Sequence, residues 1–453
     1  MNDRLIFTVK KGVFFAFLTL FATMFLINCS DEYKSPSVQV DPPIKGVETK
    51  ITSYFPDSGG VATRIVLFGE NFGTDTSYIK VSVNGSDARV IGSDGKSILA
   101  VVPARADTGL VKVSIGKGDD VKTFTYENEF KYHFRRNVST TFGVQGKEGT
   151  NDGPYRSAEL RRPWFVLTDN DGAIYSIDEG RGINQDGGLR RAYDGQVTTL
   201  KRNFEGPMQS PAAMAFNLAQ DTLYLVNNLW NANNMKTDAA VAVLTRASGF
   251  SEIRAYIRTT YSRCTAIAVH PTNGDIFFNS REDGYIYRYN KKTQEHEPQF
   301  RVNNSSGFDL KLLFSRDGKN MFISIHDRHC IYKADYNEST RKLENPTLWI
   351  GAWDQSGFKN GQGINARLKN PGQPAQDDKG NLYVADKHNH CIRMITPEGI
   401  VSTYAGIPEK SGYADGDPLE SQFKEPEGVC FGPDMALYVA DRGNNVIRRV
   451  LVE

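Results

Sequence analysis

The chain has 453 residues, which is too long for one ordinary domain and indicates two or three. Its 54 lysines and arginines almost balance its 53 aspartates and glutamates, which excludes attraction of nucleic acid through overall charge. Glycine is frequent (41 residues), aromatic residues make up 11%, and no long amphipathic helical pattern occurs. These features indicate an all-β protein with many turns.

The N-terminal segment predicts export from the cytoplasm. Arg4, Lys10 and Lys11 precede an uncharged run, "GVFFAFLTLFATMFLIN", that ends before Cys29. A basic start followed by a short apolar core is typical of a secretory signal, and the run is short of the roughly 20 residues that span a membrane. We predict a signal peptide over residues 1–28; the alternative is a membrane anchor that is never cleaved.

The residues around Cys29 predict lipidation. The "LINC" sequence resembles the bacterial lipobox, although Asn28 replaces the small residue usual at that place, and "SDEYK" resembles the acidic export tag of surface lipoproteins in the Bacteroidetes. The resemblance implies an acylated Cys29 and an outer-membrane location, facing the cell exterior. Two or three acyl chains would anchor the protein stably, and residues 29–45 would form a flexible tether.

Four further cysteines are widely and irregularly spaced and form no CxxC pair; they are Cys264, Cys330, Cys391 and Cys430. This spacing indicates neither a zinc ribbon nor a redox motif. Disulfides and buried free thiols both remain open for them.

Residues 46–134 predict a small β-sandwich with an immunoglobulin-like layout. Short alternating strands are separated by Gly, Asn and Asp, and "KVSVNGSDARV" is a hairpin with Asn-Gly at its tip. The segments "ITSYFPDSGG", "VLFGENFG", "VSVNG" and "ILAVVPARADTGLVKVSI" resemble the IPT/TIG family. The resemblance implies a spacer or interaction module, and the segment contains no catalytic constellation.

A repeat runs through residues 137–453. "PGQPAQDDKGNLYVADKHNHCIRMI" aligns without a gap with "PEGVCFGPDMALYVADRGNNVIRRV", so that Pro371 and Pro426 lie 55 positions apart, as do Asp386 and Asp441. An earlier copy begins at Pro163, and three looser copies bring the number to six. Each copy contains short antiparallel strands, which predicts a six-bladed β-propeller. The last copy lacks an outer strand, and we predict that residues 139–146 supply it and close the ring.

The "LYVADxxNxxIR" pattern of the last two copies resembles the NHL repeat. The resemblance implies the propeller fold but little chemistry, because NHL propellers bind proteins, nucleic acids or glycans, and their relatives include lyases and lactonases.

The stretch "YVADKHNHCIRM" places four potential metal ligands close together, namely Asp386, His388, His390 and Cys391. Its repeat partner favours a structural interpretation over a metal site. Asp386 matches Asp441 and is expected to cap local backbone amides, His390 is usual in the NHL repeat, and Cys391 matches a buried strand position. His388 has only a glycine as its counterpart, so we predict that it contacts a ligand.

The turns between second and third strands, with the longer loops between blades, predict one polar, ligand-binding face. Its side chains can hydrogen-bond sugar hydroxyls or stack on a pyranose. The alternative is that the loops are polar because they are solvated. The predicted ligand-binding residues are Arg181, Asn228, Trp230, His326, Trp353, His388, Tyr413 and Arg442.

The sequence contains no strong catalytic motif. Glu425, Glu427 and Asp309 are candidates to face the axis, as in calcium-dependent lactonases, but no acidic position repeats through the first strands, so we predict no cofactor and no metal. The first hypothesis is non-catalytic capture of a glycan beside outer-membrane glycan-uptake proteins, with no nucleic acid as partner. The second is a polysaccharide lyase or hydrolase, and the third is a protein-binding scaffold.

Overall fold

The structure is a computed structural model, and it describes residues 40–103, 106–133, 136–180, 187–228, 239–259 and 263–452. The chain forms two compact units. The first contains Arg64–Val101, Leu110–Phe130 and the chain up to Asp57; the second contains Ser58–Thr63, Val102–Gly109 and the chain from Lys131 onward. Within the described ranges, no helix is both long enough and apolar enough to cross a bilayer.

The strands between residues 50 and 132 are β1 Lys50–Phe55, β2 Ser58–Gly59, β3 Arg64–Glu70, β4 Ile79–Val83, β5 Ser86–Ser93, β6 Ser97–Val101, β7 Gly109–Ile115 and β8 Lys122–Tyr132. In the first unit β1 pairs with β3, β3 with β6, β6 with β5, β5 with β4 and β4 with β7, all antiparallel. Asn84 and Gly85 form the turn between β4 and β5 with φ of 47° and 82°, as the Asn-Gly pair predicts. Alternate residues such as Val81 and Val113 are buried, which gives the unit its core.

The second unit contains the propeller. A separate strand, β9 Arg136–Phe142, precedes the first blade. Blade 1 consists of β10 Gly153–Pro154, β11 Pro163–Thr168, β12 Ile174–Asp178, β13 Gly188–Tyr193 and β14 Gln196–Arg202. Blade 2 consists of β15 Pro211–Phe216, β16 Thr222–Asn227, β17 Ala239–Thr245 and β18 Ile253–Arg258. Blade 3 consists of β19 Ile267–Val269, β20 Ile276–Asn279, β21 Tyr285–Tyr289 and β22 His296–Arg301.

The second half of the propeller has the same layout. Blade 4 consists of β23 Leu310–Phe314, β24 Asn320–Ile325, β25 Cys330–Asn337 and β26 Lys342–Gly351. Blade 5 consists of β27 Gly361–Gln362, β28 Pro371–Gln376, β29 Leu382–Asp386, β30 Cys391–Ile395 and β31 Ile400–Ala405. Blade 6 consists of β32 Pro426–Phe431, β33 Leu437–Asp441 and β34 Val446–Val452. Single-turn 3-10 helices occur at Thr76–Tyr78, Gly118–Asp120, Arg246–Ser248, Val302–Asn304, His326–Arg328, Gly363–Asn365, Lys387–Asn389 and Arg442–Asn444.

The first strand of each blade lies at the centre of the ring. The strands β11, β15, β19, β23, β28 and β32 each contact the first strands of both neighbouring blades. Blade 6 is completed by β9, which pairs antiparallel with β34, for example Val138 with Val450. The predicted clasp between the two ends of the propeller is confirmed, although the strand is Arg136–Phe142 rather than residues 139–146.

A buried aspartate–arginine pair recurs in three blades. The pairs are Asp178–Arg190 at 3.1 Å, Asp386–Arg393 at 2.9 Å and Asp441–Arg448 at 3.0 Å. In each blade the aspartate ends the second strand and pairs across the sheet with the proline that begins the first. Asp386 also accepts a hydrogen bond from the backbone N–H of Lys369 at 2.6 Å. The prediction that Asp386 caps amides of its own turn was therefore wrong in detail, because that amide lies 17 positions earlier.

The last residue of the turn after the second strand links each of three blades to the next. His329, His390 and Asn445 adopt left-handed φ of 59°, 57° and 60°. His390 Nδ1 accepts the backbone N–H of Glu425 at 3.1 Å, and His329 Nδ1 accepts that of Asn370 at 3.1 Å. Asn445 Oδ1 likewise accepts a backbone N–H, at the junction of blade 6 with blade 1. These histidines are thus structural hydrogen-bond acceptors between blades.

Replacing both His329 and His390 by Asn should make stability less sensitive to pH. Burial lowers the pKa of both imidazoles from 6.5, because desolvation disfavours their charged form. The unfolded chain binds protons more readily, so stability is present above about pH 6.5 and is lost as the pH falls through that value. Asn tolerates the left-handed backbone and accepts the same bond without titrating.

The measurement is the thermal unfolding midpoint from about pH 7.5 to 5.5 for both proteins. We expect similar midpoints at the higher pH and a shallower fall in the double variant. Some slope should persist, because burial also lowers the pKa of His296 and His388. An unchanged slope would contradict the role of these two imidazoles.

Candidate functional site

One end of the propeller axis carries a dense cluster of charged side chains. In each blade the start of the first strand pairs with the end of the second, so both reach the same end of the ring. The cluster contains residues that begin first strands and residues in or beside the turns after second strands. We call this end the axial mouth, formed by Arg162, Trp164, Glu179, Asp309, Lys311, His326, Lys387, His388, Glu425, Glu427 and Arg442.

Glu427 is the most buried carboxylate of the axial mouth, with its side chain 6% exposed. Lys387 Nζ lies 2.9 Å and Arg442 Nε lies 3.3 Å from its Oε2. Burial alone would raise the pKa of Glu427, but Lys387 and Arg442 overcome that effect and hold the pKa at about 2. The lowered pKa agrees with the contacts of Glu427 with two cations, which favour its ionised form.

Arg442 connects blade 6 to blade 1. Its Nη2 lies 2.8 Å from Glu179, and its Nη1 lies 3.2 Å from Glu425. Arg162 joins the same two carboxylates at 2.9 and 3.5 Å. Such a network holds each charged group in place, because every carboxylate contacts two cations.

Two histidines of the axial mouth meet at Asn370. His388 Nδ1 lies 2.8 Å from Asn370 Oδ1, while Asn370 donates to the carbonyl of His326 at 3.1 Å. His326 Nδ1 lies 3.3 Å from Asp327. The Nε2 atom of His326 is buried and has no partner among the described residues. A buried nitrogen without a partner is rare in folded proteins and marks a position where a functional role is to be sought.

Trp164 is an aromatic residue at the same level of the axis. It follows Pro163 as Glu427 follows Pro426, and both prolines pair with the aspartate that ends the second strand. The indole packs partly against the core of blades 1 to 3. Its Nε1 atom is buried and finds no acceptor in the described part of the chain. Trp164 is therefore an only partly buried aromatic residue whose indole N–H lacks an acceptor among the described residues.

Only some of the predicted ligand residues meet at the axial mouth. His326, His388 and Arg442 do so, through the contacts described above. Trp353 packs edge-to-face on Phe308 at 5.3 Å, against the core of blades 3 and 4. Tyr413 donates or accepts a hydrogen bond with Thr140 at 2.6 Å, and one face of its ring lies 4.7 Å from the Arg448 guanidinium carbon.

Asn228, also predicted as a ligand residue, pairs with Arg263 in an isolated bridge, and its Oδ1 is buried without a partner among the described residues. The remaining predicted residues, Cys29, Arg181 and Trp230, lie outside the described residues.

The potential metal ligands in "YVADKHNHCIRM" make other contacts. Asp386 binds Arg393, His390 accepts a backbone N–H, and Cys391 is fully buried in β30. The prediction of Cys391 as a core position is confirmed. Among the described residues, no three or more His, Cys, Asp or Glu side chains are grouped as a metal site. The four cysteines at 264, 330, 391 and 430 are buried free thiols.

The axis-facing acidic residues pair with cations rather than with each other. Glu425 and Glu427 bind Arg442, and Asp309 binds Lys311 Nζ at 3.0 Å. The suggestion that they could hold calcium is therefore not supported by their contacts. Sequence reasoning missed Trp164, Lys311 and Lys387 as parts of the site. One sequence signal could have found two of them. The second residue of the first strand is Trp164, Lys311 or Glu427 in three blades, so this position carries a side chain of the site in each.

The charges of the axial mouth balance. Four cations (Arg162, Lys311, Lys387, Arg442) are paired with four carboxylates (Glu179, Asp309, Glu425, Glu427). The surface therefore offers fixed donors and acceptors side by side without an excess of either sign. Hydroxyl groups both donate and accept, so this arrangement suits a neutral, hydroxyl-rich ligand.

The first unit matches a known family. Residues 49–132 match the IPT/TIG domain family, so this part of the chain is an IPT/TIG domain. The NHL repeat-containing protein 2 of Bos taurus is 41% identical over 95 residues, which are 20% of this chain and 13% of the bovine protein. The chain thus spans a small part of the curated relatives it matches. An all-β chain with an IPT/TIG domain and an NHL-like six-bladed propeller is confirmed.

Two solved structures are similar over most of the chain. An auxiliary nutrient binding protein from Bacteroides thetaiotaomicron VPI-5482 is 29% identical with a TM-score of 0.64, covering 91% of this chain and 99% of that one. An auxiliary nutrient binding protein from Bacteroides ovatus ATCC 8483 is 27% identical with a TM-score of 0.65, covering 91% of this chain and all of the other.

Proposed function

We propose that this protein is a cell-surface lipoprotein that binds a nutrient glycan without converting it, and that it assists a glycan-uptake system of the outer membrane. The observation that carries the proposal is its likeness, over 91% of its length, to two auxiliary nutrient binding proteins of Bacteroides. The lipobox-like sequence ending at Cys29 supports anchoring through lipid at that residue.

The axial mouth is the proposed glycan site. Its balanced charges favour a neutral saccharide, and Trp164 provides an aromatic face for a sugar ring. The unpartnered Nε2 of His326 supplies a hydrogen-bonding position for a hydroxyl, which can either donate or accept. Non-catalytic binding is favoured because the central carboxylate, Glu427, is already paired with Lys387 and Arg442.

Replacing Trp164 by Phe should weaken the binding of a neutral oligosaccharide about five- to tenfold, because it removes the indole donor and part of the stacking surface. The measurement is calorimetric titration of the detergent-solubilised full-length protein with a panel of neutral oligosaccharides, with product analysis after long incubation. We expect binding by the unaltered protein and an unchanged ligand. Released products would replace this proposal by the lyase or hydrolase hypothesis.

Two further variants show whether a loss of binding is specific to the proposed site. Trp349→Phe makes the same substitution at the opposite end of the propeller and should leave neutral-glycan affinity unchanged. His388→Gly introduces the residue that blade 6 has at the equivalent position, Gly443, and should weaken binding while the unfolding midpoint stays nearly the same. Failure of every neutral glycan to bind, with a protein recovered instead, would favour the scaffold hypothesis.

A further inference from the structure

A second concave site lies between blades 4 and 5, at the end of the propeller opposite the axial mouth. Its walls are the turn from β23 to β24, the turn from β28 to β29, and strand residues of blade 4. The cavity has a volume of about 350 Å³, which is in the range of small-molecule sites. We call it the blade 4–5 groove, lined among others by Arg316, Phe322, Lys333, Trp349, Gln376 and Lys379.

Three cations of the blade 4–5 groove have no partner for their charge. The side chains of Arg316, Lys333 and Lys379 form no ion pair and no hydrogen bond with any described residue. The nearby carboxylates are already used. Asp377 accepts the backbone N–H groups of Lys379 and Asn381, at 2.9 and 2.8 Å.

The other two carboxylates of the groove are also engaged. Asp317 accepts Ser315 Oγ at 2.6 Å and the backbone N–H of Lys319 at 3.1 Å, and Asp378 is not free either. The three cations and three carboxylates of the groove balance in number, but Asp317 and Asp377 accept turn N–H groups, so the cations are the charged groups left for a ligand. The axial mouth differs in this respect, since each of its cations is paired.

Trp349 gives the groove an aromatic wall. The ring is half-buried and packs on Phe322 at 5.2 Å with an interplanar angle of 32°. The Lys333 ammonium lies 5.9 Å from the ring centroid, so a cation and an aromatic surface are adjacent. The indole N–H has no hydrogen-bond partner among the described residues. Aromatic surface beside cationic donors is suited to a sugar ring that bears an anion.

The floor of the groove is fixed by hydrogen bonds between the two turns. The backbone N–H of Arg316 donates to Gln376 Oε1 at 2.8 Å, and Gln376 Nε2 donates to the carbonyl of Gly380 at 3.1 Å. These bonds hold the turns of neighbouring blades at a set spacing. A ligand would therefore meet a preformed site, which reduces the ordering needed on binding.

We propose that the blade 4–5 groove is a second site, which binds an acidic saccharide. The apolar face of one pyranose would lie against Trp349, and a carboxylate or sulfate group on the sugar would reach Arg316, Lys333 and Lys379. This site goes beyond the proposed function, because it uses none of the residues of the axial mouth. Together the two sites would allow one propeller to hold a polymer that contains both neutral and acidic sugars.

The experiment titrates the full-length protein with a uronate oligosaccharide, a sulfated oligosaccharide, the neutral oligosaccharide of matched length, and inorganic sulfate. Saturable binding of at least one acidic oligosaccharide, weakened at least tenfold in Arg316→Ala/Lys333→Ala, is expected, because charge-assisted hydrogen bonds are lost. Neither side chain forms an ion pair or a hydrogen bond with a described residue, and Lys333 has only its long contact with the Trp349 ring, so the variant should nearly keep its unfolding midpoint. Which acidic sugar binds identifies the anion.

The controls separate this site from the axial mouth. Trp349→Phe should weaken acidic binding and Trp164→Phe should leave it unchanged. If the acidic oligosaccharides fail to bind, or bind the double variant equally well, the second site is excluded even where neutral glycans bind normally. Inorganic sulfate binding as tightly as the sulfated oligosaccharide would overturn the role of Trp349 and with it the saccharide assignment.

Discussion

Replacing Arg448 by Met is expected to lower the free energy of unfolding by about 3–5 kcal/mol, because it leaves the buried carboxylate of Asp441 without its counter-charge. Both side chains of this pair are completely buried. Arg448 also donates to the carbonyls of Gln422 at 3.1 Å and Ala414 at 2.8 Å, in the loop that leads into the last blade. Those acceptors would lose their donor as well.

The neighbouring residue provides the control. Arg449 also pairs with an aspartate, Asp434, at 2.9 Å, but its side chain is 30% exposed and that of Asp434 is 38% exposed. Arg449→Met removes the same charge from the same strand at a solvated position, where ion pairs contribute about 0–1 kcal/mol. Denaturant unfolding of the two variants, followed by tryptophan fluorescence, should therefore separate them clearly. Equal midpoints would contradict a structural role for the buried pair.

The pH dependence gives an independent check on the Arg448 variant. Burial raises the pKa of Asp441 to about 6, although Arg448 and Asn444 oppose that rise. Without Arg448 the carboxyl takes up a proton still more readily in the folded state. The loss of stability should therefore be largest above about pH 6 and smaller below it. Adding Asp441→Asn should restore part of the loss, because it removes the unpaired charge.

Much of the propeller could be predicted because aligned copies of a repeat show which residues occupy equivalent positions in different blades. Pro371 and Asp386 align with Pro426 and Asp441 in the sequence, and the structure pairs each proline with its aspartate. Cys391 aligns with the apolar Val446, and both are fully buried. Local patterns of this kind depend on one blade only, so a single sequence is enough to interpret them.

The contacts of the candidate site could not be predicted from the sequence, because they join different blades. Arg442 meets Glu179 across 263 positions, and Glu427 meets Lys387 from the preceding blade. No spacing in the sequence predicts these ion pairs between blades. Trp353 and Tyr413 lie in loops, and each contacts a neighbour that only the folded chain brings near, namely Phe308 and Arg448, although Tyr413 remains exposed.

The two ends of the propeller differ in how their charges are used. At the axial mouth, ion pairs tie together three turns and the first strands, which makes the polar surface rigid but neutral. At the blade 4–5 groove, the aspartates stabilise tight turns through backbone N–H groups, as Asp377 does. The cations there are left for a ligand, so opposite ends of one ring would select sugars of different charge.

Replacing Gly372 by Ala is expected to destabilise the propeller by about 3 kcal/mol, because the new methyl group has no space. Gly372 is the second residue of β28, and a Cβ placed there would overlap the carbonyl oxygen of Glu427 in β32. Backbone atoms cannot move aside as the end of a flexible side chain can. The same crowding recurs at the next junction, where a Cβ on Gly428 would lie 2.9 Å from Trp164 O and Phe165 Cα.

The Gly372 variant should also lose glycan affinity, because the strand that must shift is the one that carries Glu427. A shift of β32 would separate Glu427 from Lys387 and disturb the floor of the axial mouth. The matched control is Gly357→Ala in the loop before blade 5, where the nearest contact of a Cβ is the Arg367 side chain at an ordinary 3.5 Å. That change should alter the denaturation midpoint little, since it adds no clash. A Gly372→Ala protein with normal stability and normal binding of neutral glycan would show that the central strands are not packed backbone against backbone at this level, and it would contradict a rigid floor under the proposed glycan site.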